Sequence, residues 1–265
     1  MNLWFNAATE YFELFLEEKF NVFGESCLHL NSAPQLDRLQ TLPQTFLDDV
    51  HQRVLTCFHE LPDGFDSVRC ATSETRDFLY GELSSIGVRQ LLHHVHSPTT
   101  TNEVQGDFNR STMRVLVDLG SGTGRALCEC CLLHPQTLFG IGVEFDEQRH
   151  RTSVAAQEVL GLNNVTFVSS NFLEKGLLQQ LCRDPRAPTG AKVAIFCCGV
   201  GFSASTVEMI FDLLDELGDA LEVAVLLVQS IPRHHNLYSR FESSDCVLNT
   251  SWMNEAPATL LHLKK

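Results

Sequence analysis

The segment VDLGSGTGR, Val117 to Arg125, constrains the fold of this chain more than any other. It follows a short apolar run and opens a helical pattern. Gly120, Gly122 and Gly124 alternate with small polar residues. Without Cβ atoms the backbone can turn tightly there and let a ligand approach its N–H groups. A strand, a glycine turn and a helix in that order begin a βαβ unit, whose parallel strands need a long crossover connection.

The rest of the chain continues that unit. Val115 to Asp118, Leu138 to Glu144, Val165 to Ser169, Val193 to Cys197 and Glu222 to Val228 read as strands. Between them Gly124 to Leu133, Asp146 to Leu160, Leu177 to Leu181 and Ser203 to Leu217 read as helices, the second ended by Gly161. Cys246 to Trp252 and Thr259 to Leu263 form two further strands across a short turn. The expectation is an α/β fold with a mostly parallel seven-stranded sheet and an antiparallel C-terminal hairpin. Ligands bind such sheets at the carboxyl ends of the strands, near the switch point. A helical N-terminal extension is expected over residues 1–75, ahead of the sheet domain at 76–265. Its stripe of Trp4, Phe5, Ala8, Tyr11, Phe12, Phe15 and Phe20 packs on the main domain or docks a partner.

Composition narrows the function classes. The 265 residues hold 19 Lys plus Arg against 33 Asp plus Glu, a formal charge of −14. Phosphate backbones repel such a surface, so strong direct DNA binding is not expected, while a basic partner is compatible. With 44% hydrophobic and 20% charged residues the chain can bury a sizeable core. The start lacks the basic region of a signal peptide, and the most apolar run, Ala220 to Val228, is too short to cross a bilayer. The ten cysteines lie inside helix-like and strand-like runs rather than in a spaced framework, as in a reduced, soluble, intracellular protein.

Glu144 ends the second strand, where a carboxylate can accept both hydroxyls of a ribose. Asp118, just before the glycines, suits the amino group of a methionine moiety and repels a pyrophosphate. The spacing is Gly-x-Gly-x-Gly rather than the Gly-x-Gly-x-x-Gly of dinucleotide sites. Loop, acids and hairpin together resemble the class I methyltransferases, which use S-adenosyl-L-methionine and release S-adenosyl-L-homocysteine. A nicotinamide dehydrogenase is the competing cofactor reading.

Three more segments sharpen the likeness. Tyr80-Gly81-Glu82 precedes the loop, Asn171-Phe172-Leu173-Glu174 follows the third strand, and Ser251-Trp252 precedes Pro257 and His262. In this order they resemble the disruptor-of-telomeric-silencing family, the non-SET histone H3 lysine methyltransferases, in its compact kinetoplastid form. The resemblance covers about residues 75 to 263. It implies a donor site of Tyr80, Glu82, Asp118, Gly120, Ser121, Gly122, Thr123, Gly124, Glu144, Asn171 and Phe172, with Phe172 against the adenine. It implies that Trp252 lines a lysine channel beside Tyr80 and Cys198. Cys198-Gly199 stands where the family carries a polar asparagine, and Thr259 and Leu260 where it carries tyrosines. Those departures leave the number of methyl groups transferred open. The implied partner is histone H3 in the nucleosome, with an accessory protein conceivable. The implied location is the nucleus.

Transfer from a sulfonium to an amine needs alignment and a neutral amine, with no metal. A dry aromatic channel beside a cation lowers a lysine pKa, and Trp252 offers cation–π attraction to the incoming ammonium. Cys128-x-x-Cys131 has half a zinc-site spacing but no second pair, which favours packing. Cys197 and Cys198 read as buried, and His93, His94 and His96 as a solvated helix end. His234-His235 lies in a loop able to help close the acceptor site. A methyltransferase of RNA or of a small molecule and a non-catalytic donor-binding protein remain the alternatives. The lack of an Asn-Pro-Pro-Tyr-type motif after the fourth strand weighs against adenine-N6 chemistry.

Overall fold

The computed structural model describes residues 43–61, 82–96, 113–183, 185–187, 189–232 and 234–264. All of these fall in one compact unit, Pro43–Lys265. The aromatic stripe from Trp4 to Phe20 lies outside the described residues.

Helices α1 (Gln44–Glu60) and α2 (Ser85–His96) come first. The sheet domain follows as β1 (Arg114–Leu119), α3 (Arg125–Leu133), β2 (Leu138–Glu144), α4 (Glu147–Leu160) and β3 (Val165–Ser169). It continues with α5 (Leu177–Leu181), β4 (Lys192–Gly199), α6 (Ala204–Glu216) and β5 (Leu221–Val228), then β6 (Phe241–Leu248) and β7 (Ala256–Leu263). The seven strands lie in the order β3-β2-β1-β4-β5-β7-β6. Neighbours up to β5 are parallel, and β7 runs antiparallel to both β5 and β6.

Composition along each element explains its place. β1 and β2 are buried at nearly every position, as expected of strands covered on both faces. α2 buries Val88, Leu91, Leu92 and Val95, and α6 buries Val207, Ile210, Phe211 and Leu214. Both sets repeat at one face of a 3.6-residue helix. Complete burial of a side chain such as Phe211 contributes about 1.5–3 kcal/mol. Asp146 starts α4 by accepting from the Arg149 N–H at 2.9 Å, and Ser203 does the same for α6 from Thr206 at 3.2 Å.

The strand order reverses between β1 and β4, because β2 and β3 lie to one side and β5 to the other. In open α/β sheets the loops leaving two such strands diverge, and ligands bind in the crevice at their carboxyl ends. The β6–β7 turn opens at the same end, since β6 runs parallel to β5.

The hairpin differs from the sequence expectation. β6 begins five residues before Cys246 and stops at Leu248, so Trp252 lies in the turn and not on the strand. As an edge strand, β6 exposes polar residues such as Glu242 and Asp245, which masks its alternation. The turn is held by side chains. Thr250 Oγ1 accepts from Met253 N–H at 3.0 Å, and Asn249 Oδ1 accepts from Glu255 N–H at 3.2 Å.

Candidate active site

The glycine loop joins β1 to α3 in a series of turns held by its neighbour β2. Gly120 N–H and Ser121 N–H both donate to Val143 O, at 2.9 and 3.0 Å, and Gly124 N–H donates to Ser121 O at 2.9 Å. Gly122 N–H donates to Glu144 Oε2 at 2.7 Å. These donors serve the loop's own shape, so the loop offers a ligand a close approach more than free N–H groups. Gly124 has φ 79°, and a Cβ there would stand 2.5 Å from Phe167 and 2.8 Å from Ser153. Glycine is required at that position on both counts.

Glu144 is buried at the end of β2. Its second oxygen accepts from Asp146 N–H at 2.8 Å. Each carboxylate oxygen retains a lone pair, so the group can still accept from a ribose hydroxyl. Asp118 lies one strand over and is 5% exposed. Burial and the nearby Glu144 push its carboxyl up to about 8. Two buried acidic side chains this close favour a cationic ligand, which draws the proton off Asp118, and disfavour a pyrophosphate. The Ser121 hydroxyl is buried and, among the described residues, lacks a hydrogen-bond partner.

Aromatic rings form the walls. Phe172 and Phe202 stand 5.7 Å apart at 39°, and both face the position a Cβ on Gly120 would occupy, at 4.0 and 3.8 Å. Phe145, directly after Glu144, is 65% exposed. Sequence reasoning missed both Phe145 and Phe202. The signal for Phe145 was an apolar residue placed between a strand-end acid and the α4 cap. Asn171 is exposed, and its Oδ1 accepts from Leu173 N–H at 3.0 Å.

The Glu82 segment lies against both halves of the cleft. Thr123 Oγ1 donates to Glu82 Oε1 at 3.1 Å. Ser251 N–H donates to Glu82 O at 2.8 Å, and Leu83 bridges Thr250. Loop, Glu82 and the Trp252 turn are thus brought together from positions 41 to 169 residues apart in sequence. Trp252 is 43% exposed in that turn. Tyr80 lies outside the described residues.

The cysteines and histidines resolve separately. Cys128, Cys131 and Cys197 are buried without solvent contact. Cys198 is half-buried, and burial together with Asp118 pushes its thiol up to about 12, which removes it as a nucleophile near neutral pH. His96 is not solvated as its run suggested. It is buried with its ring 4.5 Å from that of His134. The reason is topological: α2 ends beside the start of β1, where Arg114 approaches the His96 Nδ1 at 3.4 Å. His235 is taken up by Asp212 at 2.9 Å and by Leu237 N–H at 3.1 Å, so it shapes the turn after β5. Among the described residues no group of three or more metal-ligating side chains converges, and no helix is long and apolar enough to cross a membrane.

A reversed β7 inserted between β5 and β6, a glycine turn after β1 and an acid ending β2 complete the pattern. The fold is that of the class I S-adenosylmethionine-dependent methyltransferases. The residues beside the glycine loop, two buried acids and the Phe172 and Phe202 rings, are compatible with that donor. No family model matches the chain, and no curated protein matches it. Among solved structures it is similar to the METTL16 methyltransferase domain, with 14% identity over 67% of this chain and 64% of that one and a TM-score of 0.45. It is also similar to a human methyltransferase 10 domain containing protein, with 14% identity, 84% and 98% of the two chains and a TM-score of 0.45. A third is M. capricolum TrmK in complex with S-adenosyl-homocysteine, at 12% identity, 58% and 62% of the two chains and a TM-score of 0.40. This chain thus spans less than two thirds of the METTL16 domain and of TrmK.

Proposed function

We propose that the chain transfers a methyl group from S-adenosylmethionine to an acceptor presented at the Trp252 turn. The observation that carries this reading is the buried pair of Asp118, which leads into the glycine loop, and Glu144, which accepts from its Gly122. Bound there, the donor supplies a sulfonium methyl that an acceptor nucleophile takes by in-line displacement, releasing S-adenosylhomocysteine. Asp118 would hold the amino group of the donor, Glu144 its ribose, and Phe145 and Phe172 its adenine. Trp252 would draw a cationic acceptor toward the cleft through its ring face.

The acceptor we favour is a lysine of a basic protein, in its specific form a lysine of the histone H3 core in the nucleosome, in the nucleus. The net charge of −14 and the Tyr-Gly-Glu, Asn-Phe and Ser-Trp segments support it. The histone acceptor rests on those sequence features alone. An RNA acceptor is the competing reading, and the solved structures similar to this chain include an rRNA methylase from Streptococcus thermophilus.

One assay separates the acceptors. Labelled S-adenosylmethionine is offered with nucleosomes, free core histones and total RNA, using the native chain and Glu144→Ala. Label on histone H3 that Glu144→Ala abolishes is the expected result. Label on RNA alone overturns the lysine reading, and absence of donor binding overturns the whole.

A further inference from the structure

We propose that Arg125 is a positioning residue that couples the glycine loop to the Trp252 turn through Glu82, an inference that rests on the donor reading above. Arg125 is the first residue of α3, directly after Gly124. A cation is out of place there, because the free N–H groups of a helix start carry partial positive charge. It is also 5% exposed, so the misplaced charge is buried as well. A broken local rule of this kind points to a task beyond the helix itself.

Its partners define the task. The guanidinium Nε pairs with Glu82 Oε2, and Nη2 donates to Leu83 O. Glu129, one turn along and 1% exposed, stands 3.8 Å from Nη1 as the second counter-charge. Glu129 in turn accepts from Ser85 Oγ at 2.7 Å and lies 3.4 Å from His51 Nδ1 on α1. Buried charge groups of this sort are often matched or bettered by apolar packing, so stability alone gives no reason for them. What the arrangement does specify is the location of Glu82 and Leu83.

That location matters on two sides. Glu82 meets the glycine loop at Thr123 and the Trp252 turn at Ser251, while Leu83 bridges Thr250. Arg125 therefore holds a segment that touches both the donor loop and the acceptor turn. Occupancy of the loop and the setting of Trp252 are linked through it, and the linkage acts in both directions.

The chain has two tryptophans, Trp4 and Trp252, so Trp4→Phe in the full chain leaves Trp252 as the indole reporter. S-adenosylhomocysteine is titrated into this parent while its affinity and the Trp252 emission are followed. The parent is expected to bind with a change in emission. Arg125→Gln is expected to bind about tenfold more weakly and to lose the emission change. Arg125→Lys keeps the charge but not the planar fork, so affinity recovers in part while the emission change stays reduced. Thr123→Val cuts the same path at the loop and covers the case in which neither Arg125 variant folds; it too is expected to silence Trp252. A folded Arg125→Gln, or a Thr123→Val, with the parent's affinity and emission change refutes the coupling. Binding by the parent without any emission change also refutes it and leaves the donor reading standing. No binding by the parent sinks both.

Discussion

Asp118 makes donor binding depend on pH in a way that can be worked out beforehand. Its carboxyl stands at about 8, raised by burial and by Glu144. The ionised fraction is therefore about a tenth at pH 7 and about a hundredth at pH 6. If only the carboxylate accepts the donor's ammonium, apparent affinity scales with that fraction and rises about tenfold per pH unit from 6 toward 8. The donor's own amino group titrates near about 7.7–8.0, so measurements belong at or below pH 7.5. Calorimetry in buffers of different ionisation enthalpy should show close to one proton released per S-adenosylmethionine bound at pH 6. Asp118→Asn should abolish both the release and the slope, and weaken binding at pH 7.5. Stability follows with the opposite reach. Because the folded value is raised, the unfolded chain gives up this proton first, near its ordinary value of 3.8, and folding takes it back. The stability contribution of Asp118 therefore falls as pH rises from about 4 to about 8, by at most about 1.4 kcal/mol per unit. Urea unfolding of Asp118→Asn should show that slope removed. An affinity for the donor that stays flat between pH 6 and 7.5, with no proton released, would refute this account of the cleft.

Three further outcomes are expected. Gly124→Ala places a side chain in the left-handed region and against Phe167, costing about 1–2 kcal/mol for the backbone and about 1–3 kcal/mol for the overlap; urea unfolding reads the sum. Trp252→Ala should leave S-adenosylhomocysteine affinity within a few fold by calorimetry while reducing methyl transfer, because the indole is half-exposed and the hydrogen bonds that join its turn to Glu82 are made by Ser251. The buried rings of His96 and His134, lowered to about 2 and about 4 by burial first, remain neutral in the fold as pH drops below 6.5. The unfolded chain then binds the extra protons, so these histidines lose the protein about 1.4 kcal/mol per unit each as pH falls from 6.5 toward 4. His134→Phe should shallow that acid limb in thermal melts, and an unchanged limb would count against the burial assigned here.

The order of strands and helices from β1 to β5, the glycine turn and the acid at the end of β2 were all legible in the residues. Each depends on contacts within a few positions of one another: an apolar run, a residue lacking Cβ, a cap such as Asp146 or Ser203. The antiparallel hairpin was legible as a hairpin but not in its bounds, because an edge strand with a polar outer face carries half a pattern. What the neighbouring residues could not encode is which distant groups meet. Arg125 closes the glycine segment in the sequence, and nothing near it marks Glu82, 43 positions away, as its partner. His96 read as solvated until the end of α3 covered it with His134. Phe202 became a wall of the cleft only once the β4 loop folded back over Gly120. Local propensity and hydrophobic period thus determined the elements and the loop. The buried pairing of Arg125 with Glu82 and Glu129, the buried histidines and the contact of Glu82 with the Trp252 turn were decided by tertiary packing, because burial and long-range pairing depend on chain segments that no short window contains.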